Sequence, residues 1–177
     1  MTVRGTVVLV AVLAGLLAYL WLAGVGSRMH PSQPSMTADA PPLVSAPTDA
    51  VTRVELQEGP SRVVAVRGDD GRWTDGEGRA WRAGVLPDLI DTLRSLQVVM
   101  VVDPDPTTPG DFGLGAEALH LRLVDARGQR LLDLEVGHRN PAWTGVYARR
   151  GGEREVILVG SLLRWELGKL RAAAPAH

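Results

Sequence analysis

The chain contains no cysteine, one phenylalanine and two tyrosines, and Lys169 is the single lysine among its 19 basic residues. Without cysteine there can be no disulfide framework, thiol nucleophile or thiolate metal site. No lipid-modified cysteine can follow Leu22-Ala23-Gly24 either. The preference for arginine over lysine reads as codon usage in a GC-rich genome rather than as an anion site. Charge of one sign is also lacking: the formal net charge is -1. Residues 1–50 hold two basic and two acidic side chains, leaving 17 against 18 in the remainder. That balance lacks the basic footprint of a nucleic-acid binder.

Other chemistries fail on spacing. His30, His120, His138 and His177 show no metal-ligand interval. Asp69, Asp70, Asp75 and Glu77 do not match the alternating acids of an EF-hand and read as two surface turns. Asp103-Pro104-Asp105-Pro106 offers two carboxylates with no third ligand near in sequence. No glycine-rich phosphate cradle opens a helix after a strand. Gly160-Ser161 lacks the flanks of a nucleophile elbow, so Ser161 is expected to cap a helix. His120 and Asp133 read as a solvated pair across neighbouring strands. No cofactor, metal or catalytic residue is expected.

The longest absence of charge runs from Gly5 to Gly26, GTVVLVAVLAGLLAYLWLAGVG, 22 residues of which 11 are Leu or Val. As a helix it would reach about 33 Å, against a hydrocarbon core of about 30 Å. Tyr19 and Trp21 stand near its distal end, where amphipathic rings favour the interface. A cleavable secretory signal has a shorter apolar region of about 7–15 residues, although Gly24 and Gly26 supply small residues where cleavage would fall. The expectation is a signal-anchor over residues 1–26, spanning the cytoplasmic (inner) membrane once with the C-terminal part outside the cytoplasm. Ala11/Gly15 and Ala14/Ala18 are small-residue pairs of the kind that let helices approach closely.

Residues 27–50 are rich in Pro, Ser, Ala and Thr without apolar period, as in a disordered tether. Residues 51–177 then carry the folded head. Alternation in VTRVELQ (51–57) and SRVVAVR (61–67) about Glu58-Gly59-Pro60 predicts a hairpin. Short strands follow around Trp73 and Trp81. Leu86, Leu89, Ile90, Leu93 and Leu96 recur at helical spacing, with Pro87 in the first turn. VVMVV (98–102) reads as a strand covered on both faces. Beyond a Pro/Gly loop over 103–115, ALHLRLV and RLLDLEV form a second hairpin, 146–149 pairs with 155–159, and a helix runs from Ser161 through Leu170. The fold class is therefore α+β: a mainly antiparallel sheet with two helices.

The order of these motifs resembles the domain of unknown function 4340 family, bacterial envelope proteins often encoded beside gliding-motility or ABC-2-type transporter genes. The resemblance covers roughly residues 51–170. It rests on Asp70-Gly71-Arg72-Trp73, the helix Leu86–Leu96, Asp111-Phe112-Gly113-Leu114, Val136-Gly137, Val146-Tyr147-Ala148-Arg149 and Val156–Val159. Phe112 stands where members usually have tyrosine. The resemblance implies an envelope-facing accessory domain and assigns no catalytic residues.

The densest polar stretch is EVGHRNPAWTGVYARR, residues 135–150. Gly137 ends one strand and Val146 begins the next, so His138 to Gly145 reads as their connection, with Asn140-Pro141 initiating a turn. On one reading Trp143 and Tyr147 simply cover the edge of the sheet. On the other, His138, Arg139, Asn140, Trp143, Tyr147 and Arg149 contact a ligand or partner, an aromatic among arginines suiting a sugar or extended peptide. The function expected is that of a non-enzymatic accessory protein engaging a membrane or envelope protein, such as an ABC-type transporter or an envelope-assembly complex. The alternative is an extracytoplasmic module binding glycan or peptide through the same connection and the Trp73/Trp81 region.

Overall fold

A computed structural model describes residues 42–116 and 118–175. The apolar stretch Gly5–Gly26 and the linker up to residue 41 lie outside the described residues. Among those described, no helix is long and apolar enough to cross a membrane.

Eight strands form one sheet: β1 (Val51–Glu58), β2 (Ser61–Arg67), β3 (Trp73–Thr74), β4 (Val98–Asp103), β5 (Leu119–Asp125), β6 (Arg130–Arg139), β7 (Gly145–Arg150) and β8 (Val156–Gly160). Their spatial order is β3-β2-β1-β5-β6-β7-β8-β4, and every pairing is antiparallel. Two helices, α1 (Val85–Ser95) and α2 (Leu162–Ala172), complete the α+β architecture. Both predicted hairpins, the pairing of β7 with β8 and both helices are where the patterns put them.

The alternating positions set the core. Val54 and Leu56 of β1, Leu121 and Leu123 of β5, Leu132 and Leu134 of β6, Val146 and Ala148 of β7, and Ile157 and Val159 of β8 all join one buried cluster. It includes Leu86, Leu89, Ile90 and Leu93 of α1 and Leu163, Leu167 and Leu170 of α2. Each such side chain removed from water contributes about 1.5–3 kcal/mol. This face, not the surface ion pairs, holds the head together, since exposed pairs contribute only about 0–1 kcal/mol each. One charge enters the cluster's margin: Glu166, 6% exposed, accepts from Lys169 Nζ at 2.7 Å.

The strand order forces two crossings. The chain leaves β3 at one edge and re-enters as β4 at the other. At about 4.8 Å between strands the sheet is about 34 Å wide, whereas the 11 residues of α1 rise only about 16 Å. The remaining distance falls to the flanking segments, in which Trp81 and Leu96 pack against the core. The chain must then return from β4, across β8, β7 and β6, to reach β5. It does so on the face opposite the helices. Phe112 packs edge-on against Tyr147, with centroids 5.1 Å apart and planes at 75°, and Tyr147 alternates with the inward Val146 and Ala148. Val156 and Leu158 on that face are buried although neither helix covers them.

The crossing comes closest at Gly137, where an added Cβ would lie 2.2 Å from the Phe112 carbonyl oxygen. Gly113, with φ +72°, faces His138, whose ring would lie 2.5 Å from a Cβ there. Two motifs that look independent in sequence, Phe112-Gly113 and Val136-Gly137, are therefore one contact.

Several expectations need correction. Residues 42–50, read as the end of the linker, pack on the head: Leu43 and Val44 are 5% and 2% exposed, and Pro42 bridges Gln97. The VVMVV run is not covered on both faces. As β4 it is an edge strand, with Val99, Met100 and Val101 exposed at 41%, 38% and 45%. Continuous hydrophobicity does not distinguish a doubly covered strand from a bare edge. Ser161 stands at the start of α2 with helical dihedrals and no side-chain cap bond. Its backbone N–H instead donates to Thr144 O at 3.2 Å.

Replacing Gly137 by alanine should destabilise the head by about 1–3 kcal/mol, because the crossing backbone cannot yield as a flexible side chain would. Urea unfolding followed by circular dichroism measures this; a change below about 0.5 kcal/mol would mean the crossing does not rest on β6.

Candidate interaction surfaces

The six residues singled out in the sequence do not converge. β6 continues through Arg139, so His138 and Arg139 belong to the strand and only residues 140–144 form the connection. Asn140 is committed to that turn. Its Nδ2 donates to Thr144 Oγ1 at 2.9 Å, and its Oδ1 accepts from the Gly145 N–H at 3.0 Å. Trp143 does not cover the sheet edge: it is 69% exposed and adopts φ 61°, the only positive φ at a non-glycine among the described residues. The Arg139 guanidinium lies 5.3 Å from its ring centroid. Tyr147 packs beneath Phe112. Arg149 directs Nε and Nη2 to Glu135 Oε2 at 3.1 and 2.7 Å. His138 lines a separate cleft of about 430 Å³ with Gly113, Leu114, Val136, Glu58 and Arg164.

The helix-free face over β1, β5, β6 and β7 is a ladder of paired charges. Register places Glu55 beside Arg122 and Arg122 beside Asp133; His120 lies opposite Glu135 and not, as expected, Asp133. Glu55 accepts from Arg53 Nε at 2.5 Å and Arg62 Nη2 at 3.0 Å. Asp133 is met by Arg122 and Arg130, each at 3.3 Å. Each of the three carboxylates Glu55, Asp133 and Glu135 is held by at least one arginine, so the acids of this face are all paired.

The turn after β3 is built similarly. Asp75 Oδ1 accepts from the N–H groups of Glu77 and Arg79, both at 2.9 Å, and Oδ2 from Arg79 Nε at 2.7 Å. Beside it, Gly71, Arg72, Trp73, Ala80, Trp81 and Pro87 line a second cleft of about 430 Å³. Trp81 is 6% exposed, and its indole N–H has no acceptor among the described residues.

Two exposed features escaped the sequence reading. One is β4, the last strand of the sheet among the described residues. The other is the end of the sheet where α2 begins, with Leu162 at 47% and Trp165 at 65% exposure. Trp165 was detectable: the buried positions of α2 are Leu163, Glu166, Leu167 and Leu170, and an apolar residue at 165 falls outside that stripe. The edge status of β4 has no such local signal, because it depends on the order of all eight strands.

The fold is that of an antiparallel α+β module whose polar face is ion-paired and whose exposed large apolar side chains lie at one edge and one end. The chain belongs to the family described as Domain of unknown function (DUF4340), which matches residues 82–172. The match takes in both helices and the contiguous strands β5-β6-β7-β8-β4, leaving β1, β2 and β3 outside it. No curated protein and no solved structure matches the chain.

Burial works to raise the Glu55 carboxyl, but hydrogen bonds from Arg53 and Arg62 outweigh it and hold the group below its ordinary value of 4.5. Asp75 is likewise held below 3.8, its bonds from Arg79 and Glu77 outweighing desolvation. A carboxyl lower in the folded than in the unfolded chain contributes its full stability above the ordinary value. The contribution is lost as pH falls through the folded one. Stability should therefore fall below about pH 4.5 more steeply in the native chain than in Glu55→Gln. Urea midpoints between pH 6 and 3 test this; parallel profiles would show that Glu55 contributes nothing to the acid limb.

Trp143 should be dispensable for folding. Glycine relieves a left-handed conformation that costs about 1 kcal/mol, whereas the exposed cation–π contact returns about 0.5–1 kcal/mol. Trp143→Gly should leave the thermal midpoint within a few degrees of the native chain; collapse of the head would instead give the ring a structural role.

Proposed function

We propose that this is a membrane-anchored, non-enzymatic interaction protein of the bacterial envelope, whose head takes an extended segment of a membrane or envelope protein onto β4. An ABC-type transporter or an envelope-assembly system is the setting implied by the family resemblance. The observation that carries the reading is that β4 is the last strand of the sheet among the described residues. Beyond the bridge of Pro42 to Gln97 at its start, no described strand pairs with its outer side, and Val99, Met100 and Val101 are exposed there with no lysine, proline or inward charge within the apolar run. Soluble domains ordinarily blunt such edges, because an exposed one invites pairing with another chain. Strand addition uses this geometry: backbone bonds supply affinity and alternating side chains supply selectivity. On the ladder over β1, β5, β6 and β7 the carboxylates are already paired with arginines.

A glycan- or peptide-binding reading has its own support in the cleft between Trp73 and Trp81, where apolar walls adjoin Arg72 and Arg82. Aromatic walls with a few polar groups are the usual lining of small-ligand sites. Binding there would change tryptophan emission during titration with envelope glycans. The change would be abolished by Trp73→Ala and kept by Trp143→Ala; an unresponsive native chain removes this reading.

For the leading reading, the full chain is crosslinked in native membranes and purified in mild detergent. A discrete partner should be recovered with the native chain and lost with Met100→Lys, whose circular dichroism should be unchanged because the side chain is exposed. Equal recovery by both chains, or no partner at all, contradicts docking on β4.

A further inference from the structure

A single end of the sheet gathers the exposed aromatic side chains and the first described residues of the chain. Gly145 pairs with Gly160, and Ser161 N–H donates to Thr144 O at 3.2 Å, so the Trp143 turn and the first turn of α2 are neighbours. From there α2 runs across the strand ends toward β1, where Arg171 pairs with Glu58, the last residue of β1. Its outward side carries Leu162, Arg164, Trp165 and Lys169. The described residues also begin at this end. Pro42 bridges Gln97, the residue before β4, and an added Cβ on Gly160 would lie 3.5 Å from Leu96 Cδ2.

The composition of this end is specific. Two tryptophans are 69% and 65% exposed beside Leu162 at 47%. The end of β6 and α2 carry Arg139, Arg164, Lys169 and Arg171; Lys169 pairs with Glu166 and Arg171 with Glu58, which leaves Arg139, over the Trp143 ring, and Arg164 without a carboxylate among the ion pairs of the described residues. Exposed indoles with arginines beside them match the headgroup level of a bilayer, where amphipathic rings settle and basic side chains meet anionic lipid. At the opposite end Asp69, Asp70, Asp125 and Glu153 sit in turns with Arg72, Arg127 and Arg154, and no tryptophan there is among the exposed large apolar side chains.

We infer that the α2 end of the head, through Trp143, Leu162 and Trp165, rests on the anionic surface of the membrane that holds the anchor. This rests on the anchor proposed above. It gives the head a fixed orientation: the strands stand away from the bilayer and β4 rises from it, accessible along its length to a partner in the same membrane. A protein partner is the competing occupant of this surface. It is disfavoured because Arg139 and Arg164 accompany the apolar side chains of the tip.

The test uses the full chain with Trp21→Phe, reconstituted into vesicles of phosphatidylcholine with phosphatidylglycerol, with and without brominated acyl chains. Flotation reads the anchor; tryptophan quenching reads the tip. The chain should float and be quenched by brominated lipid. Adding Trp143→Ser and Trp165→Ser should abolish the quenching while flotation and circular dichroism persist, since Trp73 and Trp81 lie elsewhere. Raising the salt should weaken quenching without releasing the chain. A chain that floats but is not quenched overturns the membrane-resting tip and leaves the anchor standing. A chain that does not float overturns both.

Discussion

The architecture turns on the requirement that one sheet be crossed twice, once over each face. With β3 and β4 at opposite edges and β5 near the middle, neither connection can be a tight turn. The first crossing is α1, whose apolar stripe of Leu86, Leu89, Ile90 and Leu93 closes the main core. The second has only a four-residue 3-10 turn, Pro109–Phe112, and no α-helix among the described residues to bring an apolar stripe. It is seated by backbone-to-backbone approach at Gly137 and by the Phe112–Tyr147 contact. Side chains larger than hydrogen at Gly137 or Gly113 would lift the crossing off β6, and the far face over β7 and β8 would lose its cover.

That arrangement also decides what the protein presents outward. The helices occupy one face, the returning segment half of the other, and the charge ladder from Glu55 to Arg149 the rest. Groups that might be expected to act chemically are consumed in structure: Asn140 in a turn, Arg149 on Glu135, Asp75 in a loop. The exposed large apolar side chains lie at the margin of the sheet, on β4 and at the start of α2. An edge strand and a tryptophan-bearing end are the features on which the proposals rest, and those proposals concern contacts rather than reactions.

Much of the fold was legible because its signals are local. Alternation over 51–57, 61–67, 119–124 and 130–136 has period two, and the stripe from Leu86 to Leu93 has period 3.6; either survives without knowledge of neighbours. The two glycine motifs were visible, but not that they touch, since 23 residues separate Gly113 from... Gly137 and only the strand order brings them together.

 The status of β4 was misread for the same reason: five apolar residues in a row look alike whether buried on both faces or bare at an edge. The polar stretch over residues 135–150 is dense in functional groups, yet alternation along β6 and β7 sends those groups to different surfaces. His138 goes to a cleft, Arg139 and Trp143 to the turn, Tyr147 and Arg149 to the far face.

The claim most open to direct contradiction is that β4 is an empty seat for another strand. Amide hydrogen exchange, followed residue by residue on the full chain in detergent and again in native-membrane discs, addresses it without any substitution. The account predicts that, in detergent, those amides of Val98–Asp103 not bonded to β8 exchange far faster than those of β6 and β7, and that they become protected in the native membrane. Protection of β4 in detergent equal to that of the central strands, or no gain of protection in the native membrane, would contradict it.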